Sequence, residues 1–326
     1  MCSVISNNGT KLPDFIIIGA MKSGTSSLHA ILNSRDDVFM PDKEVYFFDV
    51  DDVFQHADFF VKTDNGWTFH DFDRDFDKYF HWYSRFFEEA PEGATIGEDT
   101  TTYLASEAAP ARIARLLPDV KLIAVLRDPV TRAYSHYWHN VAAGRIGESF
   151  ENHLRNNGRS TIERGCYKKQ LERYRPFIDA GRLKVVVFEE FVRARQETID
   201  DICRYLGLEG SVNLDAVKTR QNAATVPLNI PLRLMGNRLY TAVAAHKSLR
   251  NIPNMPGYTD KVPKSETDPL PIKLWDVYRQ KLPSRKYPKM SPDTREYLEK
   301  LYGKLNRGLS DLVSRDLSRY WPYMKS

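Results

Sequence analysis

Two runs of consecutive apolar residues stand out in the chain, Asp14-Phe-Ile-Ile-Ile-Gly19 and Lys121-Leu-Ile-Ala-Val-Leu126. An unbroken apolar run bounded by turn residues predicts a strand covered on both faces, as in a parallel sheet. Residues 183–188 predict a third such strand, and Ala94-Thr-Ile-Gly97 a short fourth. Helical spacing falls between them. Residues 26–33 place Leu28, Ile31 and Leu32 on one face, and residues 105–117 and 168–180 predict further helices. Pro129 opens a helix that runs to about Ala143 and stops at Gly144, and residues 197–206 form one closed by Gly207. Proline suits a first turn, where its missing N–H is not needed. Residues 292–313 predict a last amphipathic helix carrying Leu298, Leu301, Leu305, Leu309 and Leu312. Strands alternating with helices predict an α/β fold, a parallel sheet flanked by helices.

Three stretches fall outside this pattern. Residues 1–12 are polar and expected to be flexible, residues 38–85 are irregular and aromatic-rich, and residues 222–292 are rich in proline and asparagine. The last reads as an inserted loop or lid, since long irregular connections are usually functional or mobile. With no repeat and no sharp linker, a single domain over residues 1–326 is expected.

Composition narrows the function classes. The chain is 42% hydrophobic and 28% charged, with a net charge of +4, which excludes global disorder. No stretch approaches the ~20 apolar residues of a membrane helix. The N-terminal Met-Cys-Ser-Val-Ile-Ser-Asn-Asn has neither the basic nor the apolar region of a signal peptide. Cys2, Cys166 and Cys203 are odd in number and far apart, which suits a reducing compartment, so a cytoplasmic location is expected. The small positive excess argues against nucleic acid and suits an anion held in a local basic pocket. Asp71-Phe-Asp-Arg-Asp-Phe-Asp77 lacks the sixth-position glycine of a calcium loop and has Trp82 at the twelfth position, so it reads as a solvated face with aromatic anchors. His136 and His139 are spaced for a metal on one helix face but lack an evident third ligand, and no metal is expected.

The candidate chemistry begins after the first strand. Gly19-x-x-Lys22-Ser-Gly24-Thr25, leading into a helix, is an anion cradle, with backbone N–H groups and a helix N-terminus facing the ligand. It differs from the nucleoside-triphosphatase loop, which needs lysine where Thr25 stands. The plainer alternative is a glycine-rich turn with an incidental lysine. A second anion site follows at Arg127-Asp-Pro-Val-Thr-Arg-Ala-Tyr-Ser135-His-Tyr. In open α/β sheets ligands bind outside the carboxyl ends of the strands, which places Arg127 on the rim of the glycine turn. Ser135 follows about two helical turns later.

Together these motifs resemble those of the sulfotransferase family. Lys22-Ser-Gly-Thr after Phe-Ile-Ile-Ile-Gly is similar to its 5′-phosphosulfate loop, and the Arg127–Ser135 segment to its 3′-phosphate motif. Weaker similarity runs through Gly165-Cys-Tyr167, Val185-Val-Val-Phe-Glu189-Glu and the C-terminal Leu305-Asn-Arg-Gly-Leu-Ser-Asp-Leu. The resemblance implies a P-loop-like fold and the donor 3′-phosphoadenosine 5′-phosphosulfate (PAPS), released as the 3′,5′-bisphosphate (PAP). It implies donor contacts from Lys22, Ser23, Gly24, Thr25, Ser26, Arg127 and Ser135. Lys43-Glu44-Val-Tyr-Phe-Phe-Asp49 is similar to the segment bearing the catalytic glutamate of heparan-type members, whereas the phenol and steroid branch uses a histidine from another segment. Glu44 is then the general base, and Lys22 neutralises the leaving phosphate. Heparan-type members have Glu-Lys-(Ser/Thr)-Pro-x-Tyr where this chain has Glu98-Asp-Thr-Thr-Thr-Tyr103. Asp99 replaces the lysine and Thr101 the proline. That departure argues against a polyanionic glycan acceptor, and with the lack of a visible signal anchor it suggests a soluble, bacterial-type enzyme acting on a less charged hydroxyl: a carbohydrate or glycolipid, a carrier-bound β-hydroxyacyl chain or a small natural product. Lys43, His81 and Asp99 are candidate acceptor contacts, and the aromatic run 79–87 either lines the acceptor pocket or packs as a helix. Lys218-Thr-Arg220-Gln-Asn222 is a further candidate for the 3′-phosphate. A homodimer is compatible with the fold. An ATP-dependent small-molecule kinase and a non-catalytic nucleotide-binding module are the alternatives.

Overall fold

The computed structural model describes residues 9–56, 59–60, 62–63, 66–214, 225–227, 229–243, 277 and 284–324. They fall into two compact units, residues 1–128, 167–220 and 306–326, and residues 129–166 and 221–305.

The first unit holds a parallel sheet of β1 (Phe15–Gly19), β2 (Val38–Phe39), β5 (Thr95–Asp99), β6 (Lys121–Leu126) and β7 (Leu183–Val187), in the order β2-β5-β1-β6-β7. A short antiparallel pair, β3 (Lys62–Thr63) and β4 (Gly66–Trp67), lies outside it. Phe15 pairs with Gly97 on one side and Lys121 on the other, and Leu122 pairs with Leu183. All five residues of β1 are buried, as its unbroken apolar run predicts. Ile17, Val125 and Val186 pack with Leu28, Ile31 and Leu32 of α1 (Thr25–Leu32), Phe191 of α9 (Phe188–Arg193) and Ile199, Ile202 and Cys203 of α10 (Arg195–Leu206). Each fully buried aliphatic side chain contributes about 1.5–3 kcal/mol, so this layer is a large contributor to the unit's stability. The unit also holds α2 (Phe76–Ser84), α3 (Ala109–Leu116), α7 (Tyr167–Glu172) and α8 (Arg175–Asp179). The chain leaves β1 toward β2 on one side, while β5 connects through α3 to β6 on the other side of β1. That reversal opens a crevice at the carboxyl end of β1.

The second unit contains α4 (Pro129–Ala142), α5 (Phe150–Asn156), α6 (Arg159–Glu163), α11 (Ile230–Val243) and α12 (Pro292–Leu305), with β8 (Thr225–Pro227) antiparallel to β9 (Ser284–Lys286). The end of α4 is closed by α11. The Asn237 amide donates to the Val141 and Ile146 carbonyls at 2.9 and 2.8 Å, and Arg233 donates to the Val141 and Ala142 carbonyls. Terminal carbonyls without an intrahelical partner are thereby satisfied.

Several expected boundaries change. The strand expected at 94–97 continues to Asp99, because parallel pairing with β1 carries Glu98 and Asp99 into the sheet. The helix expected at 105–117 starts only at Ala109, after a tight turn over Thr100–Ser106 tied by backbone hydrogen bonds. The helix expected at 168–180 is two short ones, since Pro176 has no N–H to donate to the Glu172 carbonyl and sits instead in the first turn of α8. The helix expected at 292–313 also breaks, into α12 and α13 (Leu309–Leu312). Leu298, Leu309 and Leu312 are buried, but Leu305 is 38% exposed. Within 222–292 the described residues include α11, a regular helix where a loop was expected, and the remainder of that stretch lies largely outside the described residues. Among the described residues, no helix is long and apolar enough to cross a membrane.

Candidate active site

The turn between β1 and α1 depends on close backbone approach. A Cβ at Gly19 would lie 2.9 Å from the Thr101 carbonyl oxygen, and one at Gly24 would lie 2.8 Å from the Phe188 ring. Gly24 also has φ 88°, in the left-handed region that favours glycine. Lys22 takes φ 69° between them, an uncommon state for a side-chain-bearing residue. The Ala20 amide donates to the Val125 carbonyl at 2.8 Å, tying the turn to β6. Gly24 caps α1 without a side chain, and the first turn carries no acid, so its N–H groups and positive dipole end are available to an anion. Ser23 is fully buried, and its hydroxyl has no hydrogen-bond partner among the described residues. Thr25 is buried and Ser26 exposed. Burial, then the charge of Arg127, lowers the pKa of Lys22 from the usual lysine range.

Arg127 leaves the end of β6. Its Nη1 donates to the Lys22 carbonyl at 3.3 Å, and its guanidinium lies 5.0 Å from the Phe188 ring centroid. The turn is fastened from behind. Tyr167 donates to the Arg127 carbonyl at 2.9 Å, the Asp128 amide donates to Glu189 at 2.9 Å, and Trp321 Nε1 donates to the other Glu189 oxygen at 3.1 Å. Tyr323 donates to Asp128. These contacts give a physical role to Tyr167 and Glu189, which the sequence singled out only by resemblance. Ser135 lies on α4 in the second unit, where it is buried.

Glu44 lies in the segment between β2 and α2, half-buried and gripped by donors. Its Oε1 accepts from the Thr101 amide at 3.0 Å and the Thr101 hydroxyl at 2.5 Å, and its Oε2 accepts from the Tyr46 hydroxyl. Tyr46 holds φ 59°, unusual for an aromatic residue, with its ring edge-on to His56 at 4.9 Å and Phe59 at 5.8 Å. Sequence reasoning missed Tyr46 and Thr101. The threonine in place of proline was the available signal, because proline has no N–H to offer a carboxylate.

Behind Glu44 stands Glu98, fully buried. Tyr83 donates to it at 2.6 Å and Thr100 at 2.8 Å, while the Thr100 hydroxyl accepts from the Val45 amide at 3.1 Å. Tyr83 stacks on Phe47 at 4.1 Å. One buried carboxyl therefore anchors the 45–47 backbone and its aromatic packing. Burial pushes the Glu98 pKa from 4.5 to about 7, against the lowering effect of its hydroxyl donors, with Asp49 adding a smaller upward push. A raised acid pKa favours folding most below the unfolded value, and that contribution is lost as pH rises toward 7. Between pH 4.5 and 8 the wild-type protein should lose up to about 3 kcal/mol that a Glu98→Gln variant does not. Urea unfolding of both proteins at the two pH values checks this, and parallel pH dependences would contradict it.

Asp99, next along β5, is also buried. Its Oδ2 lies 3.7 Å from His29 Nδ1, and its Oδ1 has no hydrogen-bond partner among the described residues. Burial, then the charges of Glu44 and Glu98, raises its pKa well above the usual carboxylate range. Burial lowers the His29 pKa against upward pulls from Asp42 and Glu44. Lys43 is exposed, and so is His81 on α2, whose Tyr79, Trp82 and Tyr83 are buried as helical packing. Asp71 accepts from the Arg74 amide at 3.0 Å and Asp73 pairs with Arg115 at 3.1 Å, while Phe72 is buried under Arg112. His136 lies 3.2 Å from the Asn140 amide nitrogen. Among the described residues, no group of three or more His, Cys, Asp or Glu is arranged to hold a metal. Lys218, Arg220 and Asn222 lie outside the described residues.

Thr101 joins the two halves of this site: its carbonyl packs on Gly19, and its N–H and hydroxyl hold Glu44. Comparison with known proteins places the chain in a family. Residues 13–211 match the model of the Sulfotransferase family. Heparan sulfate glucosamine 3-O-sulfotransferase 3B1 from Homo sapiens is 30% identical over 216 residues, covering 64% of this chain and 49% of that protein. The bifunctional heparan sulfate N-deacetylase/N-sulfotransferase 2 from Bos taurus is 29% identical over 218 residues, covering 62% of this chain and 23% of that protein. The matched part of the chain thus spans half or less of these relatives. A sulfotransferase crystal structure from Alicyclobacillus acidocaldarius shares the fold, with TM-score 0.61 and 24% identity over 97% of this chain and 100% of that one. With more than half of its length matching the family model, the chain belongs to the sulfotransferase family.

Proposed function

We propose that the protein transfers a sulfuryl group from PAPS to an acceptor hydroxyl, with Glu44 as general base. The observation that carries this reading is the Thr101 junction, which packs against the anion turn and orients the Glu44 carboxylate. The residues present fit the donor. The partnerless Ser23 hydroxyl, the open α1 N-terminus and Lys22 suit its 5′ group, with Thr25 and Ser26 following, and Arg127 suits its 3′-phosphate. The proposal for Ser135 rests on the motif alone. The bound donor supplies the sulfuryl group. Glu44 takes the proton of the acceptor hydroxyl, Tyr46 and Thr101 keep its carboxylate aimed, and Lys22 offsets charge at the phosphate left behind. Orientation and fixed electrostatics supply the rate enhancement. Carbohydrate hydroxyls, suggested by the names of the heparan sulfate relatives, are acceptors to test beside carrier-bound and small-molecule hydroxyls. A cytoplasmic location belongs to the same reading, supported by the free thiols of Cys166 and Cys203.

Thermal unfolding with adenosine 3′,5′-bisphosphate tests the donor site. At 100 times its dissociation constant the bisphosphate should add about 2.7 kcal/mol, a shift of several degrees, and 5′-AMP should do much less. A shift only with ATP and magnesium would replace the reading by a kinase. Bisphosphate binding without turnover on any acceptor would leave a nucleotide-binding module.

A further inference from the structure

Tyr46 reaches Glu44 from a backbone held at φ 59°. An aromatic residue stays in that region only where the surrounding bonds over-determine it. The amides of the same segment make those bonds. The Val45 N–H donates to the Thr100 hydroxyl oxygen at 3.1 Å and the Tyr46 N–H to the same oxygen at 3.5 Å, while the Phe48 N–H donates to the Tyr103 hydroxyl oxygen at 3.3 Å. Both hydroxyls in turn bond Glu98. Thr100 donates to its Oε1 at 2.8 Å, and the Tyr103 hydroxyl bonds it as well. A hydroxyl has one proton to give and can accept at the same oxygen. With that proton taken by Glu98, each oxygen is left to face the backbone N–H groups. Glu98 is itself fully buried and belongs to β5, so the sheet is the reference against which the 45–48 backbone is set.

We propose that Glu98 is a positioning residue for sulfuryl transfer: through Thr100 and Tyr103 it locks the 45–48 backbone and so keeps the Tyr46 hydroxyl on the Glu44 carboxylate. The proposal rests on the reading of Glu44 as the base and adds what holds that base in place. It predicts a loss confined to the chemical step. Removing the Thr100 hydroxyl leaves the Thr100 N–H on the Ile17 carbonyl at 3.1 Å, so β5 and the Thr101 carbonyl that packs on Gly19 keep their places.

Turnover of the full chain is read with sulfur-labelled PAPS and, as acceptors, methyl glucoside, 4-nitrophenol, 3-hydroxybutyryl pantetheine and water. Binding of adenosine 3′,5′-bisphosphate is measured calorimetrically beside it. Thr100→Val should lower kcat by about 10- to 100-fold, with the donor KM and the bisphosphate affinity within about threefold of wild type. Thr100→Ser keeps the hydroxyl and should recover most of the rate. Tyr205→Phe, which removes a hydroxyl that donates to the Leu122 carbonyl at 3.2 Å, should keep the wild-type kcat. Glu98→Gln brings amide N–H groups to hydroxyls whose protons need an acceptor, and should lower kcat by about tenfold; since both changes break one chain, adding it to Thr100→Val should cost less than about threefold more. A wild-type kcat in Thr100→Val or Glu98→Gln would overturn the proposal. So would Thr100→Ser or Tyr205→Phe as slow as Thr100→Val, equal losses of rate and bisphosphate affinity, or losses that multiply in the double variant. If Glu98→Gln does not fold, the Thr100→Val and Thr100→Ser pair decides. Full activity of Glu44→Gln, or a wild type that transfers to none of the acceptors, is a separate result, which removes the base reading and the proposal with it.

Discussion

Glu44→Gln is expected to lower sulfuryl transfer by about 10²–10⁴-fold, the usual contribution of a positioned general base. Affinity for adenosine 3′,5′-bisphosphate should stay nearly unchanged. The amide keeps the shape of the carboxyl group and can still accept from Thr101, so the turn at Gly19 that packs on the Thr101 carbonyl is left in place. What disappears is the ability to take a proton. Turnover of labelled donor with a panel of hydroxyl acceptors, set beside calorimetric nucleotide binding, separates the two effects. Equal loss of both would mean that Glu44 supports the fold of the turn and is not the base.

Arg127→Ala should weaken adenosine 3′,5′-bisphosphate by about 10- to 100-fold, since a hydrogen bond to a charged group contributes about 1.5–3 kcal/mol. The loss against 5′-AMP should be much smaller, because the missing phosphate is the one Arg127 is proposed to hold. The guanidinium is prepared for that work by structure behind it. Tyr167, Glu189, Trp321 and Tyr323 fasten the Arg127-Asp128 backbone, and the Phe188 ring supports the guanidinium. Equal weakening of both nucleotides would show that Arg127 acts only by bonding the Lys22 carbonyl and shaping the glycine turn.

The interior strands β1 and β6 were legible because their apolar runs are unbroken, a pattern that only two covered faces require. The helix over 129–142 was legible from Pro129 at its start and Gly144 just beyond its end. Glu98 and Asp99 were harder to place. Charged residues oppose burial in a strand, and they enter β5 only because β1 supplies hydrogen bonds and neighbouring hydroxyls satisfy Glu98. The helix α11 was illegible for a related reason. Its proline-rich surroundings read as loop, and its Arg233 and Asn237 find their use only at the end of a helix some ninety residues earlier in sequence.

By itself the sequence determined the class of fold, and through its resemblance it pointed to the turn at Gly19–Thr25, the segment at Arg127 and Glu44 as candidates. Each is a local signal, written in consecutive residues whose chemistry does not depend on distant partners. Only the tertiary structure decided what holds those groups: Thr101 and Tyr46 on Glu44, Glu98 beneath its segment, Glu189 and Tyr167 behind Arg127. Such contacts join residues far apart in the chain, and their strength comes from burial. Burial turns a hydroxyl or carboxyl that would be unremarkable in water into one that must find a partner.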